Sequence, residues 1–282
     1  MRFTKMQGTG NDFLFVDCTE RMIPDPSALA ARVCDRHFGV GGDGLILILP
    51  GERADFRMAV YNADGGEAPM CGNAARCLAK YVYERGLTAK RELTLETASG
   101  LRRLYLNTEE GRVTSVRVDM GAPEFRPERV PVVFPGVSAG QDGPAKMVPL
   151  EVEGRVFRVT CVSMGNPHCV VFQDEVEDWP LAYWGPRFEH APVFPEKTNT
   201  EFARVESRGV IRMRVWERGC GETMACGTGA CAVLAAAAVN GLADRSAVIR
   251  LNGGELEVAW DEKTGHLFMT GPAAFVFDGE LP

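Results

Sequence analysis

Cys71 and Cys226 stand 155 residues apart, and each is followed by a glycine and then by a segment that reads as a helix. A thiol at the mouth of a helix lies among free backbone N–H groups and at the positive end of the helix dipole, which predicts a thiolate and a lowered pKa. A bound carboxylate would be favoured there for the same reason. Two such sulfurs reaching one ligand from opposite sides would flank a single carbon as base and acid, and the result of that exchange is an inverted stereocentre. Epimerising an amino acid has this requirement. A very weakly acidic α-proton leaves one face while another arrives on the opposite face, and the helix N-termini hold the α-carboxylate as negative charge builds on it.

The elements that must position the thiols are written twice. Arg57 to Leu87 and Arg212 to Leu242 align without a gap at that same offset of 155, with 10 of 31 positions identical, among them Gly66/Gly221, Glu67/Glu222, Cys71/Cys226, Gly72/Gly227 and Gly86/Gly241. The offset also pairs Gly10-Asn11 with Gly165-Asn166, each ahead of a short apolar run. This is the mark of a duplication and predicts two similar halves. Short β-rich runs dominate, such as LILIL after Gly44, RVTSVRVDM, RVFRVTCVSM, VIRMRVW, ELEVAW and AFVFD. Each half also holds one long helix, with Asn73 and Thr228 as predicted N-caps. In the first helix Arg76, Lys80 and Glu84 recur opposite Leu78, Tyr81 and Val82, which predicts one wet face and a stop at Gly86. The second, Ala230 to Val239, is apolar all round and is expected to be buried inside its half. Between the halves, residues 121–149 hold 6 of the 17 prolines and read as an extended connection.

Composition narrows the class. The chain has 282 residues, 45% apolar and 24% charged, which is globular composition with room for two domains. A net charge of −7 and the lack of any block of like charges argue against a nucleic-acid partner. The longest apolar run, Cys231 to Val239, is far below the roughly 20 residues that cross a bilayer, so no membrane partner is expected. MRFTKMQGTGNDF lacks the apolar core of a secretory signal, and a cytoplasmic protein is expected. Nine cysteines then read as free thiols. Cys18, Cys34, Cys77, Cys161, Cys169 and Cys231 read as small buried hydrophobes, while Cys220 stays open. The spacings C-x₅-C and C-x₄-C do not suit zinc, and no metal site is expected. GTGND and GVGGDG read as turns, since the first has no helix after it and the second runs into LILIL.

Taken together, KMQGTGNDF, YNADGGEAPMCGNAARC, SMGNPHCV, FPEKTNTEF and WERGCGETMACGTGACA resemble the diaminopimelate epimerase family, in its order and approximate spacing over nearly the whole chain. The resemblance implies an α/β fold of two pseudo-symmetric duplicated halves, each a β-rich barrel-like layer around a central helix, with the active site in the cleft between them. Expected domains are 1–121, joined by 272–282, and 122–271. It implies an isomerase that interconverts LL- and meso-diaminopimelate without a cofactor, as a homodimer, in lysine biosynthesis. By motif, Cys71 and Cys226 are the acid/base pair, and the N–H groups of Gly72-Asn73 and Gly227-Thr228 hold the α-carboxylate. Asn11, Asn62, Asn166, Asn199, Glu217 and Arg218 fall at substrate-contacting positions, and His168 and Glu217 at positions that tune the thiols. Arg218 could grip a distal carboxylate and Glu217 attract an ammonium. Gly44 stands where some members carry Gln, and Trp216 and Cys220 replace a frequent Tyr and a small residue. Two other readings are a proline or hydroxyproline racemase, which needs no distal charge recognition, and a thiol-redox ligand-binding protein whose cysteines toggle a disulfide.

Overall fold

A computed structural model of the chain describes residues 1–134 and 145–281. These fall into two compact units, Met1–Asp119 with Thr270–Pro282, and Met120–Met269. Both are sheet-dominated α/β structures, and each is built around one long helix.

In the first unit β1 (Arg2–Gly8) and β2 (Asn11–Asp17) form an antiparallel hairpin. Its two-residue turn, Thr9 at φ 56° and Gly10 at φ 80°, has the positive dihedrals that match strand twist, so GTGND is a turn as its composition suggested. Next come α1 (Pro26–Val33), β3 (Gly44–Pro50), β4 (Phe56–Asn62) and the short β5 (Glu67–Ala68). The central helix α2 (Gly72–Glu84) follows, then β6 (Glu92–Thr97), β7 (Gly100–Glu109) and β8 (Arg112–Gly121). LILIL is a strand buried on both faces, paired parallel to β2 and antiparallel to β4.

The second unit opens with β9 (Val148–Val152), β10 (Arg155–Ser163) and β11 (Pro167–Phe172), followed by α3 (Leu181–Glu189). Then come β12 (Asn199–Ser207), β13 (Val210–Glu217), β14 (Gly221–Thr223) and the central helix α4 (Gly227–Val239). The strands β15 (Ser246–Leu251), β16 (Gly254–Trp260) and β17 (Leu267–Gly271) complete it, and β18 (Ala274–Glu280) pairs antiparallel with β1 in the first unit. In the Pro-rich connection, Pro127–Arg129 is a single 3₁₀ turn and Glu124 bridges Ser163, whereas residues 135–144 of that stretch lie outside the described residues.

The duplication is visible element by element. At an offset of 155 residues α1 falls on α3 and α2 on α4, and the pairing rules repeat. β1–β2 and β10–β11 are antiparallel, β2–β3 and β11–β12 parallel, β3–β4 and β12–β13 antiparallel, β4–β6 and β13–β15 parallel, β6–β7 and β15–β16 antiparallel. One edge is made differently. β9 reaches β10 through a hairpin, while its counterpart β18 comes back to β1 from the other end of the chain.

The two central helices show how residue type sets environment. Alanine, the strongest helix former, fills α4, and all of it but Thr228, Ala238 and Val239 is buried among β10, β11, β12, β15 and β16. Its apolar circumference is thus satisfied on every side, as the sequence suggested. The wet face expected for α2 is absent. Arg76 is fully buried, and its guanidinium donates to Asn73 Oδ1 (2.9 Å), Thr9 Oγ1 (2.7 Å) and the Pro272 carbonyl (3.1 Å). Lys80 is largely covered too, between Glu84 and the Phe275 ring. The last stretch of chain lies over the stripe that periodicity alone assigned to solvent. Both helices end as expected, with Gly86 at φ 75° and Gly241 at φ 71° just beyond the caps. Among the described residues no helix is long and apolar enough to cross a membrane.

Candidate active site

Cys71 and Cys226 are themselves the N-caps of α2 and α4, so Asn73 and Thr228 sit two residues inside the helices and do not cap them. Each cysteine keeps extended backbone, which lets its sulfur stand where a serine hydroxyl would usually stand. At α4 the Gly229 N–H donates to Cys226 Sγ over 3.3 Å. At α2 the sulfur makes no such cap bond, and Cys71 Sγ lies 3.8 Å from Asn11 Oδ1.

Around Cys71 the first unit gathers Asn11, Gly72 and Asn73. Asn73 Nδ2 donates to Asn11 Oδ1 (3.1 Å), and the buried Arg76 holds the other end of the Asn73 amide. The Asn11 amide nitrogen donates to Asp43 Oδ2, and Asp43 is braced by Arg36, which also binds Asp12. An ionised carboxylate only accepts, so Asp43 fixes the amide with its oxygen toward Cys71 and Asn73. Asn62 ends β4, half-buried and opposite Gly44, and its backbone closes the turn with Gly65 and Gly66. Gly44 has no room for a side chain, because a Cβ there would lie 2.7 Å from the Tyr61 carbonyl. Any contact made by residue 44 in this chain is therefore a backbone contact.

The second unit brings Asn166, His168, Glu217, Gly227 and Thr228 together at Cys226. Thr228 Oγ1 is 3.4 Å from Cys226 Sγ and 3.4 Å from Asn166 Nδ2. The fully buried His168 places Nε2 at 3.1 Å from Asn166 Oδ1 and Nδ1 at 2.7 Å from Glu201 Oε1. Glu217 is held by the Thr223 hydroxyl, and burial raises its pKa. Asn199, the remaining amide, is buried and points into the protein. It donates to the Pro167 carbonyl (2.7 Å) and accepts the Arg218 N–H (2.9 Å), so it sets the backbone of Arg218. The Arg218 guanidinium is exposed and rests on the Glu196 carbonyl.

The lowered thiol pKa expected from the helix N-terminus is overturned at Cys226. Burial pushes this thiol well above its ordinary value, the charges of Glu217 and Glu201 push the same way, and the hydrogen bonds from Thr228 and Gly229 offset only part of that. A helix dipole stabilises an anion by about 0.3–1 kcal/mol at an exposed terminus, whereas desolvation of a buried ion shifts a pKa by up to about 3–5 units. The six cysteines read as small buried hydrophobes, Cys18, Cys34, Cys77, Cys161, Cys169 and Cys231, follow expectation, and Cys220, which the sequence left open, lies at the surface. Burial takes Cys34 up to about 11 and Cys77 up to about 12, which leaves both inert at neutral pH.

Three positioning groups were not singled out from the sequence: Asp43, Glu189 and Glu201. Glu189, at the end of α3, is buried and accepts from Trp216 Nε1 (2.7 Å) and the Gly219 N–H (3.0 Å), thereby bracing the loop that carries Glu217 and Arg218. Each of the three stands among polar or turn residues in the sequence, Glu189 between Arg187 and His190, Glu201 in TNTEFAR and Asp43 in GVGGDG, so no local feature sets it apart from a surface carboxylate.

A sequence profile described as diaminopimelate epimerase matches residues 3–126 and 160–276. The diaminopimelate epimerase of Acetivibrio thermocellus is 50% identical over 286 residues, covering 100% of this chain and 98% of its own length. That of Methanococcus maripaludis is 46% identical over 281 residues, covering 100% and 99%. Among solved structures, a probable proline racemase from Agrobacterium radiobacter superposes with a TM-score of 0.74 at 17% identity, over 100% of this chain and 92% of that one. A hydroxyproline epimerase from Agrobacterium vitis gives a TM-score of 0.73 at 15% identity, over 99% and 91%. At that distance the two structures speak to the fold alone.

Proposed function

This chain belongs to the diaminopimelate epimerase family, and from that premise we propose that it interconverts LL- and meso-diaminopimelate by passing the α-proton through Cys71 and Cys226. The observation that carries the mechanism is the repeated placement of a cysteine as the N-cap of a central helix, once in each half of a duplicated fold. The thiolate of one cysteine removes the α-hydrogen and becomes a thiol. The thiol of the other gives its proton to the opposite face of the resulting carbanion and becomes the thiolate. The reverse reaction exchanges the roles.

The first-turn N–H groups at Gly72-Asn73 and Gly227-Thr228 serve the α-carboxylate, whose charge grows as the carbanion forms. Glu217 and Arg218 serve the distal ammonium and carboxylate, with the guanidinium suited to a two-point grip. Asn11, Asn62 and Asn166 complete the contacts, and Asn199 acts through the Arg218 backbone. Distal charge recognition separates this reading from a proline or hydroxyproline racemase. The reaction needs no cofactor, and the enzyme is read as a cytoplasmic homodimer after the family it belongs to.

Incubation with diaminopimelate in D₂O tests the proposal. Deuterium is expected at the α-carbon while the LL and meso forms equilibrate. No incorporation from either isomer would sink it.

A further inference from the structure

Glu201 has no exposed side-chain surface, and its Oε2 finds no hydrogen-bond partner among the described residues. A buried carboxyl is costly unless something compensates it, and here the compensation is His168 Nδ1 at 2.7 Å. The carboxylate also lies against the first turn of α4. A Cβ at Gly229 would stand 2.7 Å from Glu201 Oε1 and 3.3 Å from Cys226 Sγ, so the glycine leaves space for both groups. From His168 a chain of contacts runs to that sulfur, from Nε2 to Asn166 Oδ1 (3.1 Å), from Asn166 Nδ2 to Thr228 Oγ1 (3.4 Å), and from Thr228 Oγ1 to Cys226 Sγ (3.4 Å). The charged groups facing Cys226 are Glu201 from β12 and Glu217 from β13, and Glu217 faces His168 as well.

We propose that Glu201 is a positioning residue for the epimerisation, pinning the His168 proton on Nδ1 so that Nε2 alone sets the polarity of the Asn166–Thr228 chain at the Cys226 sulfur. The inference deepens the epimerase reading and rests on it. An ionised Glu201 can only accept, so Nδ1 donates to it. When Nε2 also carries a proton it donates to Asn166 Oδ1, the amide N–H donates to Thr228, and the threonine hydroxyl donates to a Cys226 thiolate. When Nε2 is bare the amide turns, the threonine hydroxyl donates to the amide oxygen, and Cys226 S–H donates to the hydroxyl. A proton on Nε2 thus accompanies a thiolate at Cys226, and loss of that proton accompanies the thiol. Without Glu201 either nitrogen could hold the first proton, and the chain would lose its fixed direction.

Two measurements decide this. In the unsubstituted enzyme labelled with ¹⁵N-histidine and assigned by difference with His168→Asn, Nδ1 should stay protonated across the titration while only the Nε2 resonance moves. A bare Nδ1 overturns the proposal, and this measurement requires neither turnover nor a folded Glu201 variant. In kinetics Glu201→Gln should lower kcat about thirtyfold with KM changed less than about threefold, a part of the 10²–10⁴ that acid–base groups supply. Adding Thr228→Val, which keeps the backbone N–H, should cost nothing more than the larger single loss. Losses that multiply would show that Glu201 does not act through the chain and overturn the assignment. Absence of epimerase activity in the parent enzyme would count against the function, whereas the histidine spectrum reports on Glu201 alone.

Discussion

Cys71 and Cys226 begin their helices from nearly the same backbone, φ −138°, ψ 116° and φ −122°, ψ 113°, and each helix runs for 13 residues. Their surroundings differ. Cys71 is half-buried beside the Asn11 carbonyl oxygen, in a setting braced by Asp43 and Arg76. Cys226 is buried beneath Gly229 and Thr228 and faces two carboxylates. Duplication copied the helix entry, and the side chains around it then diverged until burial and charge outweighed the shared dipole at one of the two sites. The proposed two-base inversion tolerates this, because at any moment it needs one sulfur with a proton and one without.

The sharpest way to break the comparison is to remove each sulfur. Cys71→Ala and Cys226→Ala should each lower epimerisation by about 10³-fold or more, the upper range for a lost acid–base group. The measurement is LL-to-meso conversion by chiral chromatography. Loss from only one variant would mean that the two helix entries are not functional equivalents.

Equivalent helix positions outside the entry should differ in stability. Arg76 corresponds to Cys231 at the 155-residue offset. Arg76→Met strands three buried or half-buried acceptors and should cost about 3–4 kcal/mol, while Cys231→Ala removes one sulfur from an apolar site and should cost about 1 kcal/mol. Denaturant unfolding followed by circular dichroism measures both. Equal losses would mean that the buried guanidinium contributes nothing specific.

Arg76 also shows where the sequence stopped being readable. The C-terminal ends of the helices with their glycines, the LILIL strand and the thiol positions are local or repeated features, so periodicity and offset exposed them, whereas the expected helix starts at Asn73 and Thr228 fall two residues late. The polar stripe Arg76-Lys80-Glu84 was read as wet because nothing local indicates that Pro272 and Phe275 cover it. Glu201, Glu189 and Asp43 escaped for the same reason: what makes them matter is a partner dozens of residues away. The rise of the Cys226 pKa was likewise out of reach, since burial depends on the strands that close over α4. Two of the amides that family motif places at the proposed substrate site are distinguishable in the structure, Asn11 at the Cys71 thiol and Asn199 behind the Arg218 backbone.

The protonation difference gives a smaller, graded test. Iodoacetamide at neutral pH should label Cys71 about tenfold or more faster than Cys226, since only the thiolate reacts and burial with two nearby carboxylates disfavours it at Cys226. Peptide mass spectrometry separates both from the exposed Cys220. Glu217→Gln removes a negative charge next to Cys226, so its thiolate becomes cheaper, its pKa falls, and its labelling should set in at lower pH while Cys71 is unchanged. A Cys226 profile that stays put would show that the Glu217 charge contributes nothing to the shift.

The smallest effect is expected where the two helices still agree. Gly86 and Gly241 follow the helix ends at φ 75° and φ 71°, and a Cβ at either would meet nothing within 4 Å. Space is therefore not the issue, and alanine would suffer only the left-handed backbone, about 1 kcal/mol at each site. Each substitution lies in its own compact unit, far from the other in sequence and with no shared hydrogen-bond partner among the described residues, so the double variant should lose the sum. Unfolding midpoints of Gly86→Ala, Gly241→Ala and the pair measure this. A gap of more than about 1 kcal/mol between the singles would place the divergence seen at the helix entries at the exits as well, because steric strain of identical backbone cannot differ by that much.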